Sequence, residues 1–364
     1  MFEKILVVIP SLRRGGAERT VALITREWAG DHDVVIAVFN ARDQAFPAAE
    51  TARTVDLKCA ASRSIVGKAT TAITRIRRLT ALIQNERPDH IISFMESANF
   101  PVIFACLGAR RLRDLTISVR NNPMMFPAYY RLLIPILYRW PGRIVTGSDG
   151  VRRALIDEFR VSADKCTAIP NPIDTDAIRK AASLPTSGRL PDKPFVLGVG
   201  RLVPQKGFDL LIKAFCRSKA ASDHALVILG EGPERERLTR LIRDLRVEDK
   251  VRLPGSMASP PPYMRAARCF VLSSRWEGWP NVVMEAMACG CPVIAFECPY
   301  GPSEIVKDGE SGVLVRPEDI DALAGALDRV VLNEDLRADL ARRGRERVAK
   351  FDDAVVARRW LESR

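Results

Sequence analysis

Histidine is scarce in this chain, with three among 364 residues, and His32, His90 and His224 each stand just before or at the start of an apolar run. In a parallel sheet that is the strand end away from the ligand edge. General-base catalysis by histidine, Ser-His-Asp hydrolysis and His-rich metal sites are therefore disfavoured. No stretch approaches the roughly 18 to 20 uninterrupted apolar residues of a membrane span, because Arg111, Arg113, Arg131 and Arg139 break up the most apolar region, 100–140. The eight cysteines (59, 106, 166, 216, 269, 289, 291 and 298) form neither a C-x-x-C pair nor a Cys/His cluster at zinc spacing, so reduced structural thiols are expected. No secretory leader is evident in MFEKILVVIPSLRRGG. Glu3 precedes its apolar run, the basic pair follows it, and no small-residue cleavage site is present, so a buried strand in a cytosolic chain is expected. Neither G-x-G-x-x-G nor a Walker loop occurs, which argues against a nicotinamide oxidoreductase.

What is present is a folded composition, 47% hydrophobic and 27% charged, in a chain longer than the roughly 250 to 300 residues at which single cores stop growing. Two domains are expected. Apolar β-branched runs at 4–9, 33–39, 89–94, 115–119 and 143–146 alternate with helical periodicity, notably at 16–29 and 65–87. A second series follows at 195–199, 225–229, 250–253, 269–273 and 292–296. The fold class is α/β, two doubly wound Rossmann-like domains facing a central cleft. The expected boundaries are a first domain at 1–174, a Pro/Ser/Gly-rich linker at 175–194, a second domain at 195–345, and a terminal helix at 346–364 that packs back on the first domain.

Charge divides unevenly. Residues 1–190 hold 28 Lys+Arg against 18 Asp+Glu, and residues 191–364 hold 28 against 26, giving +10 and +2. A basic half suits an anionic partner such as nucleic acid, lipid head groups or a phosphorylated substrate, and equally a merely solvated surface.

Three stretches have the makings of a site. Gly15-Gly16 opens a helix after the first apolar run, where backbone can approach a phosphate closely, although a plain tight turn would look the same. Arg201 and Lys206 follow the first strand of the second domain, as a clamp for a diphosphate or as ordinary loop cations. Glu277 sits on a Gly/Pro-shaped turn, and Glu285 lies one turn into a helix starting near Asn281, so both can address one ligand across that helix start or simply complement its dipole.

At this point the chain resembles the retaining glycosyltransferases of family 4 (group 1), which have the GT-B architecture. The likeness runs through GGAERT (15–20), IPNPID (169–174), GRLVPQKGFDLLIKAF (200–215), EGWPNVVMEAMACGCPVIA (277–295) and GPSEIVKDGESGVLV (301–315). The resemblance implies a nucleotide-diphosphate sugar, UDP-linked by preference, bound mainly by the second domain. Arg201 and Lys206 would hold the diphosphate, Glu285 the ribose and Glu277 the sugar hydroxyls. Backbone at Asn281, Val282, Gly15 and Gly16 would complete the phosphate site, with Leu253-Pro254 facing the base. It also implies no metal and no further cofactor, and the sequence offers no Asp-x-Asp pair after a strand. One departure stands out: many relatives place a histidine after the strand at 115–119, where this chain reads Arg120-Asn121-Asn122-Pro123.

In such enzymes the first domain takes the acceptor, and here it is the basic half. Lys68, Arg75 and Arg78 line one face of the helix at 65–87, opposite an apolar stripe that includes Ile73, Leu79 and Ile83. That row suits the diphosphate of a lipid-linked glycan or anionic head groups, as well as plain solvation. Glu96, Asn99, Arg120 and Asn121 follow first-domain strands and are further acceptor candidates. Residues 124–140, MMFPAYYRLLIPILYRW, suit either a bilayer interface or a core. The expectation is a peripheral enzyme on the inner face of the cytoplasmic membrane, serving surface-glycan assembly, with no nucleic-acid partner. The competing readings are a sugar-nucleotide epimerase, a transferase with a soluble acceptor, and a non-catalytic basic binding protein.

Overall fold

The computed structural model describes residues 2–13, 15–42, 52–59, 65–186, 188 and 190–363, with 65–69 as backbone only. Two compact units result, one of Met1–Pro172 with Asp353–Arg364 and one of Ile173–Asp352. The first unit is built on a parallel sheet of β1 (Lys4–Ile9), β2 (Asp33–Val38), β3 (Arg53–Asp56), β4 (His90–Phe94), β5 (Leu115–Val119), β6 (Arg143–Thr146) and β7 (Cys166–Ala168). Its order is β3-β2-β1-β4-β5-β6-β7. The second unit carries β8 (Phe195–Val199), β9 (Ala225–Leu229), β10 (Val251–Gly255), β11 (Cys269–Leu272), β12 (Val293–Phe296) and β13 (Val313–Val315), ordered β10-β9-β8-β11-β12-β13. These are two Rossmann-like domains.

The central strands are buried along almost their whole length because helices cover both faces of a parallel sheet. Register follows from that burial: Leu6 of β1 pairs with Val35 of β2 on one side and Ile91 of β4 on the other. In each unit the strand order reverses beside its first strand, between β1 and β4 and between β8 and β11. Loops leaving the carboxyl ends diverge at such a point and open a crevice for ligands.

The chain end completes the first unit. Helix Asp353–Glu362 packs on helix Gly16–Trp28, burying Val356, Ala357 and Trp360. Trp360 stacks on Phe94 with centroids 5.3 Å apart, and the Trp28 indole donates to the Ala357 carbonyl at 3.1 Å. Arg26 pairs with Asp353 at the start of this helix.

Two expectations about boundaries change. The segment 175–194 is not all linker: helix Thr175–Ala182 is capped by Asp174, whose side chain accepts from Ala177 N at 2.8 Å, and Ile178 is buried in the second core. So short a helix has only one buried stripe, and its Pro/Ser-rich sequel hid it. The terminal segment is two helices, Glu334–Val348 and Asp353–Glu362, separated by a 3-10 turn whose Phe351 packs on Trp279 of the second unit at 5.3 Å.

Truncating Trp360 to alanine should cost about 3 kcal/mol or more, read as a lower denaturant midpoint for the first unit; an unchanged midpoint would show that the last helix adds little to this core.

Candidate functional site

The crevice of the second unit is bounded by the loops leaving β8 and β11, and one ion pair joins them. Lys206 Nζ donates to Glu277 Oε1 at 2.6 Å, and the same oxygen accepts from Ser274 Oγ at 2.6 Å. The two side chains are only 17% and 8% exposed, so neither charge is strongly screened by water. The backbone braces this contact. Ser273 Oγ donates to the Lys206 carbonyl at 2.9 Å, Gln205 Nε2 to the Trp276 carbonyl at 2.9 Å, and Arg275 N to the Gln205 carbonyl at 2.7 Å. Gly207 takes φ +59°, and a Cβ there would strike the Ser273 carbonyl oxygen, so no other residue fits. The loop after β12 holds Glu277 from the far side: Glu277 N donates to the Pro299 carbonyl, and Tyr300 N donates to the Glu277 carbonyl.

A second clasp lies behind the first. Arg275 grips Asp209 through both terminal guanidinium nitrogens, Nη1 and Nη2, at 3.1 and 2.9 Å. Burial raises the Asp209 carboxyl pKa, yet the Arg275 hydrogen bond and charge outweigh that and hold it below the usual range.

Beside the pair is a cavity of about 320 Å³ lined by Gly200, Arg201, Gly230, Glu231, Ser256 and Met257, among others. Ligand pockets begin at roughly this size. Lys206 does not itself line this cavity, but its stem adjoins the lining residue Gly200, where a Cβ would touch it at 3.4 Å, and Arg201 of the lining is exposed. Leu253 and Pro254 do not line the cavity. Leu253 packs against the core and its carbonyl accepts from Arg235 Nη1 at 3.1 Å, because β10 bulges between Arg252 and Gly255; Ser256 and Met257 stand at the cavity instead.

Helix Asn281–Ala288 starts directly after the Glu277 loop. Val283, Met284, Ala286, Met287 and Ala288 are buried, leaving Asn281, Val282 and Glu285 as the half-buried positions of one stripe. A first helical turn has no intrahelical acceptors for its N–H groups and carries partial positive charge. The second unit thus pairs Lys206 with Glu277, sets Arg201 at the neighbouring cavity, and places Glu285 on the helix that follows the Glu277 loop, residue types suited to an anionic ligand rich in hydroxyls.

The first unit gives a different picture of its candidates. Glu96, Asn99 and Arg120 form a buried group at the carboxyl ends of β4 and β5, and only Asn121 is exposed. Asn99 Nδ2 donates to the Ser118 carbonyl at 3.0 Å. Arg120 donates to Ser118 Oγ at 2.7 Å, the Ile169 carbonyl at 2.8 Å and Asn171 Oδ1 at 3.1 Å, and lies 5.0 Å from the Trp360 ring centre. Burial pushes the Arg120 pKa down to about 9. Asn99 and Arg120 thus join strand ends and chain crossings, each with one buried polar atom left without a partner, and none of the three buried side chains lies on an open surface.

The basic helix is corrected likewise. Arg75 donates twice to the Cys59 carbonyl, at 3.2 and 3.0 Å, and lies 4.2 Å over the Phe39 ring, while Arg78 donates to the Leu57 and Lys58 carbonyls. Their guanidinium groups tie helix Ile65–Glu86 to the chain after β3 and are not a free row of cations. Ile73, assigned to the apolar stripe, is exposed, whereas Leu79 and Ile83 are buried. The Lys68 side chain lies outside the described residues.

Gly15 precedes and Gly16 begins the first helix, but the Glu18 carboxylate occupies the space that a Gly15 side chain would need. Burial raises the Glu18 pKa. This helix start is covered by its own acid and is not an open phosphate cradle. His32 and His224 precede β2 and β9, and His90 begins β4, all at amino-terminal strand ends.

Sequence reasoning passed over Ser274, Asp209, Arg275, Ser256 and Met257. The Ser-Ser-Arg run closing the 269–273 strand was the available signal for the first and third of these; no spacing rule marks the other three.

Burial raises the Glu96 pKa to about 7, with the Tyr138 hydroxyl 3.5 Å away. A carboxyl raised in the folded state costs stability as pH climbs from the unfolded value toward 7, and the cost is constant above that. Glu96→Gln is therefore expected to be more stable than the parent at pH 8, by on the order of 3 kcal/mol, with the advantage gone below pH 4.5. Denaturant unfolding at the two pH values checks this, and a pH-independent difference would contradict it.

Comparison with known proteins agrees with this geometry. A family model described as Glycosyltransferase Family 4 matches residues 14–177, and one described as Glycosyl transferases group 1 matches residues 181–347. Among relatives, a Campylobacter jejuni protein named N-acetylgalactosamine-N,N'-diacetylbacillosaminyl-diphospho-undecaprenol 4-alpha-N-acetylgalactosaminyltransferase is 29% identical, covering 99% of both chains. Another from the same organism, an alpha-1,4-N-acetyl-D-galactosaminyltransferase named for a GalNAc-bearing diNAcBac-PP-undecaprenol, is 24% identical over 99% of this chain and 97% of its own. The fold is shared with Anabaena HepE, solved in complex with UDP, at TM-score 0.78 and 21% identity over 99% of both chains. The two matched regions together span nearly the whole sequence, and the chain belongs to the group 1 glycosyltransferases with a family 4 amino-terminal domain, of the GT-B kind.

Proposed function

We propose that this glycosyltransferase moves a hexose or N-acetylhexosamine, with retained anomeric configuration, from a UDP-sugar to a glycan on a polyprenyl diphosphate during surface-glycan assembly. The observation that carries the donor reading is the Lys206 ammonium, held by Glu277 beside the cavity at the crevice of the second unit. The acceptor class rests on the two Campylobacter relatives, whose names specify undecaprenol-linked substrates and whose match to this chain is nearly full length. UDP is favoured because HepE was solved with it.

In this reading the bond from the anomeric carbon to the diphosphate oxygen breaks while a bond to the acceptor hydroxyl oxygen forms on the same face. The hydroxyl proton passes to the departing phosphate oxygen, so no histidine is needed. Arg201 and Lys206 neutralise the charge that develops on the leaving diphosphate, and rigid cations in a poorly hydrated site are most effective there. Glu277 fixes Lys206 and accepts from a hydroxyl of the sugar, the first-turn N–H groups at Asn281 and Val282 face the phosphates, and Glu285 accepts from the ribose hydroxyls. With two protein cations assigned to the diphosphate, neither a metal nor another cofactor is required. No helix among the described residues is long and apolar enough to cross a membrane, and the enzyme is read as peripheral, on the inner face of the cytoplasmic membrane.

The test is transfer from labelled UDP-sugars to a polyprenyl-diphosphate-linked saccharide, with and without EDTA. Transfer that survives chelation, with an α-linked product from an α-donor, is the expected outcome. Inversion at the anomeric centre or abolition by EDTA would overturn the corresponding part. Glu285→Gln should lower kcat/KM roughly 10- to 100-fold with the fold intact, the range for losing a charged hydrogen bond; unchanged turnover would remove Glu285 from the donor site.

A further inference from the structure

Helix Ala128–Leu137 is apolar on both sides. Ile134 and Leu137 are buried, as a surface helix requires, but Tyr129, Leu132, Leu133 and Ile136, at positions i, i+3, i+4 and i+7, face water, with Leu132 73% exposed. The patch continues onto helix Glu96–Ala109, where exposed Phe104 meets exposed Trp140 edge-to-face at 6.1 Å. Of fifteen large apolar residues exposed among the described residues, nine lie between 104 and 140. This concentration, unlike scattered apolar exposure, calls for a partner.

Charge identifies the partner. Between 104 and 143 the chain has seven arginines and one acid, Asp114, which Arg111 engages. Arg110, Arg113, Arg131, Arg139 and Arg143 are exposed within the same stretch of chain, Arg131 next to Leu132 and Arg139 next to Trp140. An exposed apolar surface carrying Tyr and Trp, with exposed arginines interspersed along the same stretch of chain, matches a bilayer interface with anionic head groups: aromatics settle at head-group depth and cations bind the negative surface. A protein partner of ordinary mixed charge would leave those arginines unmatched.

We propose that the surface formed by helix Ala128–Leu137 and the adjoining Phe104–Trp140 corner docks the enzyme on an anionic lipid bilayer. The contact assigned from sequence to Arg75 and Arg78 moves here, because those two guanidinium groups are already bound to backbone carbonyls. The proposal rests on the reading of a membrane-borne acceptor and names the face that meets the membrane.

The test is co-sedimentation of the full chain with vesicles of phosphatidylcholine alone or with added phosphatidylglycerol. It compares the parent with Leu132→Glu/Ile136→Glu, both exposed positions, and with Arg131→Glu/Arg139→Glu. Binding to phosphatidylglycerol vesicles is expected, weakening with salt. The first pair should lower it at least tenfold, and the second by roughly fivefold or more per arginine. Melting temperature and the response to UDP should stay as in the parent, so failure here is separable from failure of the donor assignment. Undiminished binding by both variants would overturn the proposal, as would absence of binding with a dimer, seen by sedimentation, that Leu132→Glu/Ile136→Glu dissociates. Equal binding to phosphatidylcholine alone would refute the electrostatic part.

Discussion

The crevice of the second unit depends on one buried ion pair. Lys206 and Glu277 come from loops on opposite sides of the point where strand order reverses, and their 2.6 Å contact fixes both loops at once. Breaking a buried pair by removing one partner leaves a charge without compensation, typically costing about 3 to 5 kcal/mol. The surrounding features serve the same constraint: Gly207 lets the backbone pass Ser273, Ser274 shares the carboxylate oxygen, and Arg275 with Asp209 fastens the loop from behind. For the proposed transfer, a site braced in this way would have little to reorganise when charge develops on a leaving group.

The first unit applies its buried polar chemistry to a different end. Arg120 contacts the carbonyl of Ile169, just before the chain leaves for the second unit, and the ring of Trp360, shortly after it returns. One guanidinium thereby joins the two places where the chain crosses. Of the polar residues at the carboxyl edge of this sheet, Asn99 and Arg120 bond to strand ends and chain crossings while Asn99 Oδ1 and Arg120 Nη2 stay buried without a partner, and the exposed apolar and cationic side chains concentrate on the flanking helices. The proposed donor chemistry lies in the second unit and the surface proposed to meet a bilayer in the first.

Much of this was legible beforehand, for identifiable reasons. Central strands such as β1 and β9 read as unbroken apolar runs because both their faces are covered. The short outer strands β3, β7 and β13 were missed: the first is largely polar, and the other two have only three residues each. Lys206 and Glu277 were legible as separate motifs, but the pairing between them is a tertiary fact that no spacing encodes. Arg75 and Arg78 misled because helical periodicity shows which face a side chain leaves from, not whether it bends onto a neighbouring carbonyl. Glu96 and Asn99 were placed correctly after their strand, yet strand ends lie partly beneath the following helix, so position alone did not reveal burial. The exposed stripe at 129–136 was ambiguous in sequence because an apolar helix reads the same facing a core or facing water.

The most direct measurement is thermal stability of the purified chain with UDP, GDP, ADP or NAD, alongside Arg201→Ala, whose exposed side chain can be removed without disturbing the core. A ligand at about 100 times its Kd stabilises by roughly 2.7 kcal/mol. The account predicts a clear rise in Tm with UDP that uridine does not reproduce and that Arg201→Ala diminishes. No shift with any nucleotide in folded protein, or an undiminished UDP shift in the variant, would contradict a donor diphosphate held at the crevice of the second unit.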